Sequence, residues 1–242
     1  MIRSISVVIP AYNEESRLPQ TLERVAAYLS AQDFDFHEIL VVDDGSSDGT
    51  VALAEAFAAA HPCVRVLQNG VNRGKGYSVR SGMLAAAGEW ILFSDADLSA
   101  PIEQLSTLTR ASESSGADVV IVSRALDRSL VGVHQPGFRE SAGKIFNFVM
   151  RLAVGLSIRD TQCGFKLFSL RAAKTIFPRQ RLDRFGFDVE VLLIAQLHGF
   201  RIEEVPVKWS HIEGTRVSML GGMRAFVELL EIRFNQVLGK YR

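Results

Sequence analysis

Long apolar runs are missing from this chain of 242 residues. A membrane-crossing helix needs about 20 consecutive apolar residues. The best stretch, Ile145 to Leu156, is broken by Asn147 and Arg151, so no spanning segment is expected. Nor does the amino terminus carry a basic segment, an apolar stretch and a small-residue cleavage site in succession. Met1 leads directly into a strand-like sequence, and a cytoplasmic protein is expected. Cysteine is nearly absent. Cys63 and Cys163 lie far apart without metal-type spacing, which argues against a disulfide framework or a zinc site and leaves two reduced thiols. Net charge is zero, and no nucleic-acid partner is expected.

That neutrality conceals a basic middle. Counting Lys, Arg, Asp and Glu gives −7 over residues 1–138, +7 over 139–184 and 0 over 185–242. Such a segment can serve anionic ligands, lipid phosphates or an anionic membrane surface, although solvated helix faces carry similar excesses.

What is present is enough apolar sequence, 48% of residues, for one α/β domain with a sizeable core. Ser4–Pro10, Glu38–Asp43, Cys63–Gln68, Trp90–Asp95 and Asp118–Ser123 read as strands. Leu18, Leu22, Val25, Ala26 and Leu29 fall on one helical stripe, and the stretches after Asp48, Arg73 and Pro101 suit helices. Helices between strands imply a largely parallel sheet, and nearly unbroken apolar strands imply helices on both faces. Farther on, residues 125–138 read as a loop and a candidate lid, leading into the helix-like Arg139–Gly155. A short strand Phe165–Ser169, a helix near Phe187–His198, a strand Phe200–Trp209 and an amphipathic helix from Met219 follow.

Ligands of such sheets bind beyond the carboxyl ends of the strands. Three polar clusters sit there: Ala11–Glu14, Asp43–Asp48 and Asp95–Ser99. Asp95 and Asp97 suit a hard divalent cation, Mg²⁺ or Mn²⁺, which completes its shell with water and phosphate oxygens. They also suit a helix beginning at Pro101. Asp43 and Asp44 can accept hydrogen bonds from a base or ribose, while Asp48 or Ser47 caps the next helix. Tyr12 offers an aromatic face, or simply belongs to the core.

In this order the clusters resemble the family 2 glycosyltransferases of the GT-A fold, through Val8–Glu14, Val41–Thr50 and the Asp-Xaa-Asp at 95–97. The resemblance implies a Rossmann-like sheet flanked by helices in a single domain spanning 1–242. Residues 1–124 would be its nucleotide-sugar half and 125–242 its acceptor half. It implies a nucleotide site of Pro10, Ala11, Tyr12, Glu14, Asp43 and Asp44, with Asp95 and Asp97 at the metal and diphosphate. Asn72-Arg-Gly-Lys-Gly76 fits the family's basic turn and brings Lys75 toward phosphate. Asp160–Phe168, Phe185–Glu190 and Glu204–Trp209 look like the dolichyl-phosphate glucosyltransferase branch. Some mannosyltransferase relatives carry Gln as a third metal ligand where this chain has Ser99.

The implied reaction is inverting transfer of a hexose, glucose from UDP-glucose by preference, to a dolichyl-type polyprenyl phosphate. Arg124 and Arg216 are candidate cations for the leaving group, and Arg139, Lys166 and Arg216 for the acceptor phosphate. A phosphate monoester is mostly ionised near neutrality, its second pKa being about 6, and needs no strong base. A sugar-hydroxyl acceptor would need one, and Asp188 or Glu190 could supply it. Transfer from GDP-mannose, transfer to a sugar hydroxyl, a non-catalytic nucleotide-sugar-binding protein and a nucleotidyltransferase are the alternatives. The lipid substrate would be reached peripherally, at the cytoplasmic membrane face. Contact would come through the stripe Phe146, Val149, Met150 and Ala153 or through Met219, Met223, Phe226, Val227, Leu230, Phe234, Val237 and Leu238. For the latter stripe, ordinary core packing is the stronger expectation.

Overall fold

The computed structural model describes residues 2–130, 155–209 and 219–242. Seven strands, β1 (Ser4–Ala11), β2 (Phe36–Asp43), β3 (Val64–Gln68), β4 (Trp90–Ser94), β5 (Val119–Ser123), β6 (Phe165–Ser169) and β7 (Ile202–Pro206), form one sheet. Their order is β3-β2-β1-β4-β6-β5-β7. β6 runs antiparallel to β4 and β5, and every other pairing is parallel.

Successive side chains of a strand leave opposite faces, so the apolar strands feed two cores. On one face Val8, Leu40, Val42, Phe93 and Ile121 pack with three helices, α3 (Lys75–Ala85), α5 (Leu170–Ile176) and α6 (Phe187–Leu197). On the other, Val7, Ile9, Ile39, Val41 and Leu92 meet α1 (Leu18–Ser30) and α4 (Leu105–Ser115). The expected stripe of α1 is buried in full, with Leu18, Leu22, Val25, Ala26 and Leu29 inside. Each such Leu contributes about 1.5–3 kcal/mol. The other helix of the first half is α2 (Thr50–Ala60).

Two expectations need correction. The late strand is shorter than Phe200–Trp209, spanning Ile202–Pro206. The last helix, α7 (Met219–Val237), does not bury the described part of its apolar stripe. Val227, Leu230, Phe234 and Val237 are 62–72% exposed, whereas Glu228, Leu229, Ile232 and Asn235 face inward. The inward face is chosen by polar as well as apolar contacts, since Glu228 accepts the Gly186 amide at 2.6 Å. The candidate lid beyond residue 130, the stripe Phe146–Ala153, Arg139 and Arg216 lie outside the described residues.

Candidate functional site

Strand register gathers the clusters. Ala11 pairs with Asp43, Asp43 with Gln68 and Val8 with Phe93, so β1 to β4 end at one edge of the sheet. The first two loops are hydrogen-bonded together. Asn13 adopts a left-handed backbone (φ 53°), its amide donates to Ser46 Oγ, and its side-chain oxygen accepts the Ser47 amide at 2.7 Å. The Glu14 amide donates to Thr50 Oγ1. Pro10 is half-buried and Ala11 buried, while Tyr12 stands 41% exposed and is no part of the core. The Glu14 carboxylate is held by both Arg17 nitrogens at 2.8 and 2.9 Å.

Asp43 and Asp44 are buried and already hydrogen-bonded within the chain. Asp43 accepts the Gly45 and Ser46 amides. Asp44 accepts the Asn69 amide group and the backbone amides of Arg73 and Gly74. Both therefore build the loops, and a nucleotide contact would use the lone pairs that remain. Gly74 makes the loop after β3 possible: its φ is 109°, and a Cβ there would lie 2.3 Å from the Asp183 carbonyl oxygen.

At the end of β4 the Asp95 amide donates to the Gly164 carbonyl. The Asp95 carboxylate presses against Gly164, where an added Cβ would meet its Oδ2 at 2.0 Å. Lys75, the first residue of α3, places Nζ 2.6 Å from Asp95 Oδ1. Burial opposes the lysine charge, but Asp95, Asp188 and Asp97 outweigh it and hold the ammonium above its ordinary value. Asp97 accepts the Ser99 amide across Leu98, whose φ is 48°, so Ser99 is a turn residue through its backbone. Thr21 of α1 ties the same loop through the Ala96 carbonyl.

Asp95, Asp97, Ser94, Ser99, Cys163 and Trp209 line a small cleft. Burial pushes the Cys163 thiol up to about 12, so the cleft offers hard oxygen donors and no thiolate. That donor set fits Mg²⁺ or Mn²⁺. Two carboxylates are all it supplies, and no group of three acidic, His or Cys side chains suited to a metal occurs among the described residues. Remaining ligands would be water and substrate oxygens.

The candidate cations Arg124 and Lys166 are less available than expected. Arg124 closes its fork on Asp160 at 2.7 and 2.9 Å and lies over the Trp209 ring. Burial pushes Asp160 up, but the Arg124 charge and hydrogen bonds outweigh it and hold the carboxyl below its ordinary range. Arg124 is therefore a brace beside the cleft rather than a free cation. Lys166 is 1% exposed, and its ammonium donates to Asp188 and the Cys163 carbonyl. It has no open surface for an acceptor phosphate, a consequence of lying on an interior strand of the sheet. Part of the charge excess of residues 139–184 is already engaged within its described part: Arg171 pairs with Asp118, and Lys174 donates to the Leu84 carbonyl.

Asp188 and Glu190 face inward. Burial holds Asp188 above its ordinary range against the pull of Lys166 and Lys75. Glu190 accepts the Arg181 and Leu182 amides and the Tyr241 hydroxyl, and burial pushes it up to about 6. Neither stands ready as a base for a sugar hydroxyl. Gly164 and Trp209 were not singled out from sequence as site residues. The sequence marks them only as members of the segments Asp160–Phe168 and Glu204–Trp209.

Residues 6–177 match the model of glycosyl transferase family 2. The dolichyl-phosphate beta-glucosyltransferase of Drosophila melanogaster is 39% identical over 88% of this chain and 69% of its own length. ALG5C of Trichomonas vaginalis, of the same name, is 36% identical over 93% of this chain and 69% of its own. The human dolichyl-phosphate beta-glucosyltransferase is 35% identical over 99% and 78%. Among solved structures, Mycobacterium tuberculosis glucosyl-3-phosphoglycerate synthase with Mn²⁺ and uridine-diphosphate-glucose has a TM-score of 0.68 at 19% identity, covering 96% of this chain and 79% of that one. That likeness is one of fold. With a sheet of this order, a family match over most of the chain and relatives similar along nearly all of it, the protein belongs to glycosyl transferase family 2 and has the GT-A fold.

Proposed function

We propose that the protein transfers glucose from UDP-glucose to the phosphate of a dolichyl-type polyprenol, with inversion at the anomeric carbon. The observation that carries this reading is the shared name of relatives 33–39% identical over 88–99% of the chain. The neighbour that holds Mn²⁺ and UDP-glucose supports the donor and the metal. Asp95 and Asp97 would hold Mg²⁺ or Mn²⁺, which when bound neutralises a departing diphosphate. Tyr12 and the loops shaped by Asp43 and Asp44 would receive the nucleotide, and Lys75 the diphosphate. Arg139 and Arg216 remain the proposed acceptor-phosphate cations. A phosphate acceptor needs no base, which agrees with Asp188 and Glu190 being bound inside the protein.

The uncovered face of α7, with Val227, Leu230, Phe234 and Val237 outward and Arg233 and Lys240 beside it, suits peripheral contact with a lipid surface. The deciding experiment offers radiolabelled UDP- and GDP-sugars with dolichyl or undecaprenyl phosphate and follows label into the organic phase. Label from UDP-glucose on the lipid is expected. Label confined to a water-soluble acceptor would refute the lipid-carrier reading.

A further inference from the structure

The Lys75–Asp95 ion pair occupies one of the two carboxylates proposed for the metal, and its geometry decides which partner gives way. Asp95 has little freedom. Its amide is bonded to Gly164, and its carboxylate lies so close to that residue that even a methyl group would collide with it. The backbone of Lys75 is equally fixed. Gly74 donates to Asp44, Tyr77 donates to the Asp183 carbonyl, and Gln180 donates to the Gly76 carbonyl. Only the four-carbon stem of the lysine can swing. A cation arriving at Asp95 therefore has to displace an ammonium.

The displaced ammonium has few places to go. Asp188 is already bonded to Lys166, and both lysines lie over the Phe93 ring, 5.3 and 5.6 Å from its centroid. Asp95, Asp97 and Asp188 bring three negative charges to this cluster and Lys75 and Lys166 two positive ones, leaving a single negative charge. A divalent ion reverses that sign, and a diphosphate restores the balance while offering Lys75 new oxygens. We infer that Lys75 competes with the divalent cation for Asp95, so that cation and nucleotide diphosphate bind with strong positive coupling and the metal binds poorly without the nucleotide. This rests on the proposed placement of the metal at Asp95 and Asp97.

The test titrates Mn²⁺ alone into the full chain, following free ion by electron paramagnetic resonance, for wild type, Lys75→Met, Lys75→Arg and Asp95→Asn, then repeats the series with saturating UDP. Lys75→Met should bind Mn²⁺ alone about tenfold more tightly than wild type, within the usual 5–150-fold range of site coupling. UDP should strengthen Mn²⁺ binding much more in wild type than in Lys75→Met. Lys75→Arg, which keeps the ion pair, should bind Mn²⁺ alone as weakly as wild type. Unchanged or weaker Mn²⁺ binding by Lys75→Met would overturn the competition. Asp95→Asn binding Mn²⁺ like wild type would instead remove the metal from Asp95, a failure of the underlying reading that the lysine variants alone would not reveal.

Discussion

Replacing Gly164 by alanine isolates the geometry of Asp95, the carboxylate proposed for the metal. The added Cβ would start 2.0 Å from Asp95 Oδ2 and 2.6 Å from Oδ1, whereas ordinary contact begins near 3.4 Å. Relief requires Asp95 Oδ2 to move by about 1.4 Å, and a misplacement near 1 Å can cost roughly 10²-fold in rate. That corresponds to about 2.7 kcal/mol of barrier. Folding should suffer less. The whole Asp95 carboxyl group, Cγ at 2.3 Å included, has to give way, but the strain falls on one side chain and Gly164 has no left-handed φ, so the stability loss should stay within the about 1–3 kcal/mol seen for overpacking. Steady-state transfer assays would be paired with thermal unfolding and Mn²⁺ titration. A roughly hundredfold fall in kcat, weakened Mn²⁺ binding and a melting temperature within a few degrees of wild type are expected. Wild-type kcat, or lost activity that merely tracks lost folding, would refute the argument.

Asp97→Ala should nearly abolish turnover, as should excess chelator, and transfer assays with Mg²⁺ or Mn²⁺ restored would check both. Calorimetric titration in the presence of Mn²⁺ should show UDP binding well ahead of GDP. Burial raises Glu190 to about 6 from an ordinary value of 4.5, so the folded state holds the extra proton between those values. Its contribution to stability is then largest below about pH 4.5 and falls by about 2 kcal/mol as pH rises through 6. Denaturant unfolding from pH 4.5 to 7 should show that slope in wild type and lack it in Glu190→Gln. Tyr241→Phe, which removes one hydrogen bond from the same buried carboxylate, should lower stability by about 1–3 kcal/mol in the same assay.

The first half of the fold is legible because its signals are local. Apolar strands such as Val7–Pro10 and Ile39–Val42, the stripe of α1 and the polar residues at strand ends each announce one element. Their convergence follows from the parallel sheet. The second half depends on long-range choices. Phe165–Ser169 reads as a strand, but nothing in its composition says that it enters antiparallel between β4 and β5, which is what buries Lys166 and sets Gly164 against Asp95. The stripe Val227–Leu238 is apolar enough for a core, yet Glu228 and Asn235 mark the face that packs, through hydrogen bonds no hydrophobic period records. Glu190 looks like a catalytic carboxylate until its three donors are seen.

The insertion of β6 also orders events during synthesis. Every residue of β1 to β5 leaves the ribosome before Phe165, because synthesis runs from the amino terminus. A growing chain can shape the loops around Asp43 and Asp44, whose partners all lie upstream of Lys75. It cannot yet brace Asp95, because Gly164 has not been made. The edge of β4 facing away from β1 stays unpaired over the same interval, an exposed edge of the kind that invites wrong pairing. Catalytic competence therefore arrives late and together with closure of the sheet, and a nascent chain stalled in the first half would have the outline of the proposed nucleotide site while Asp95, the carboxylate proposed for the metal, was still unbraced.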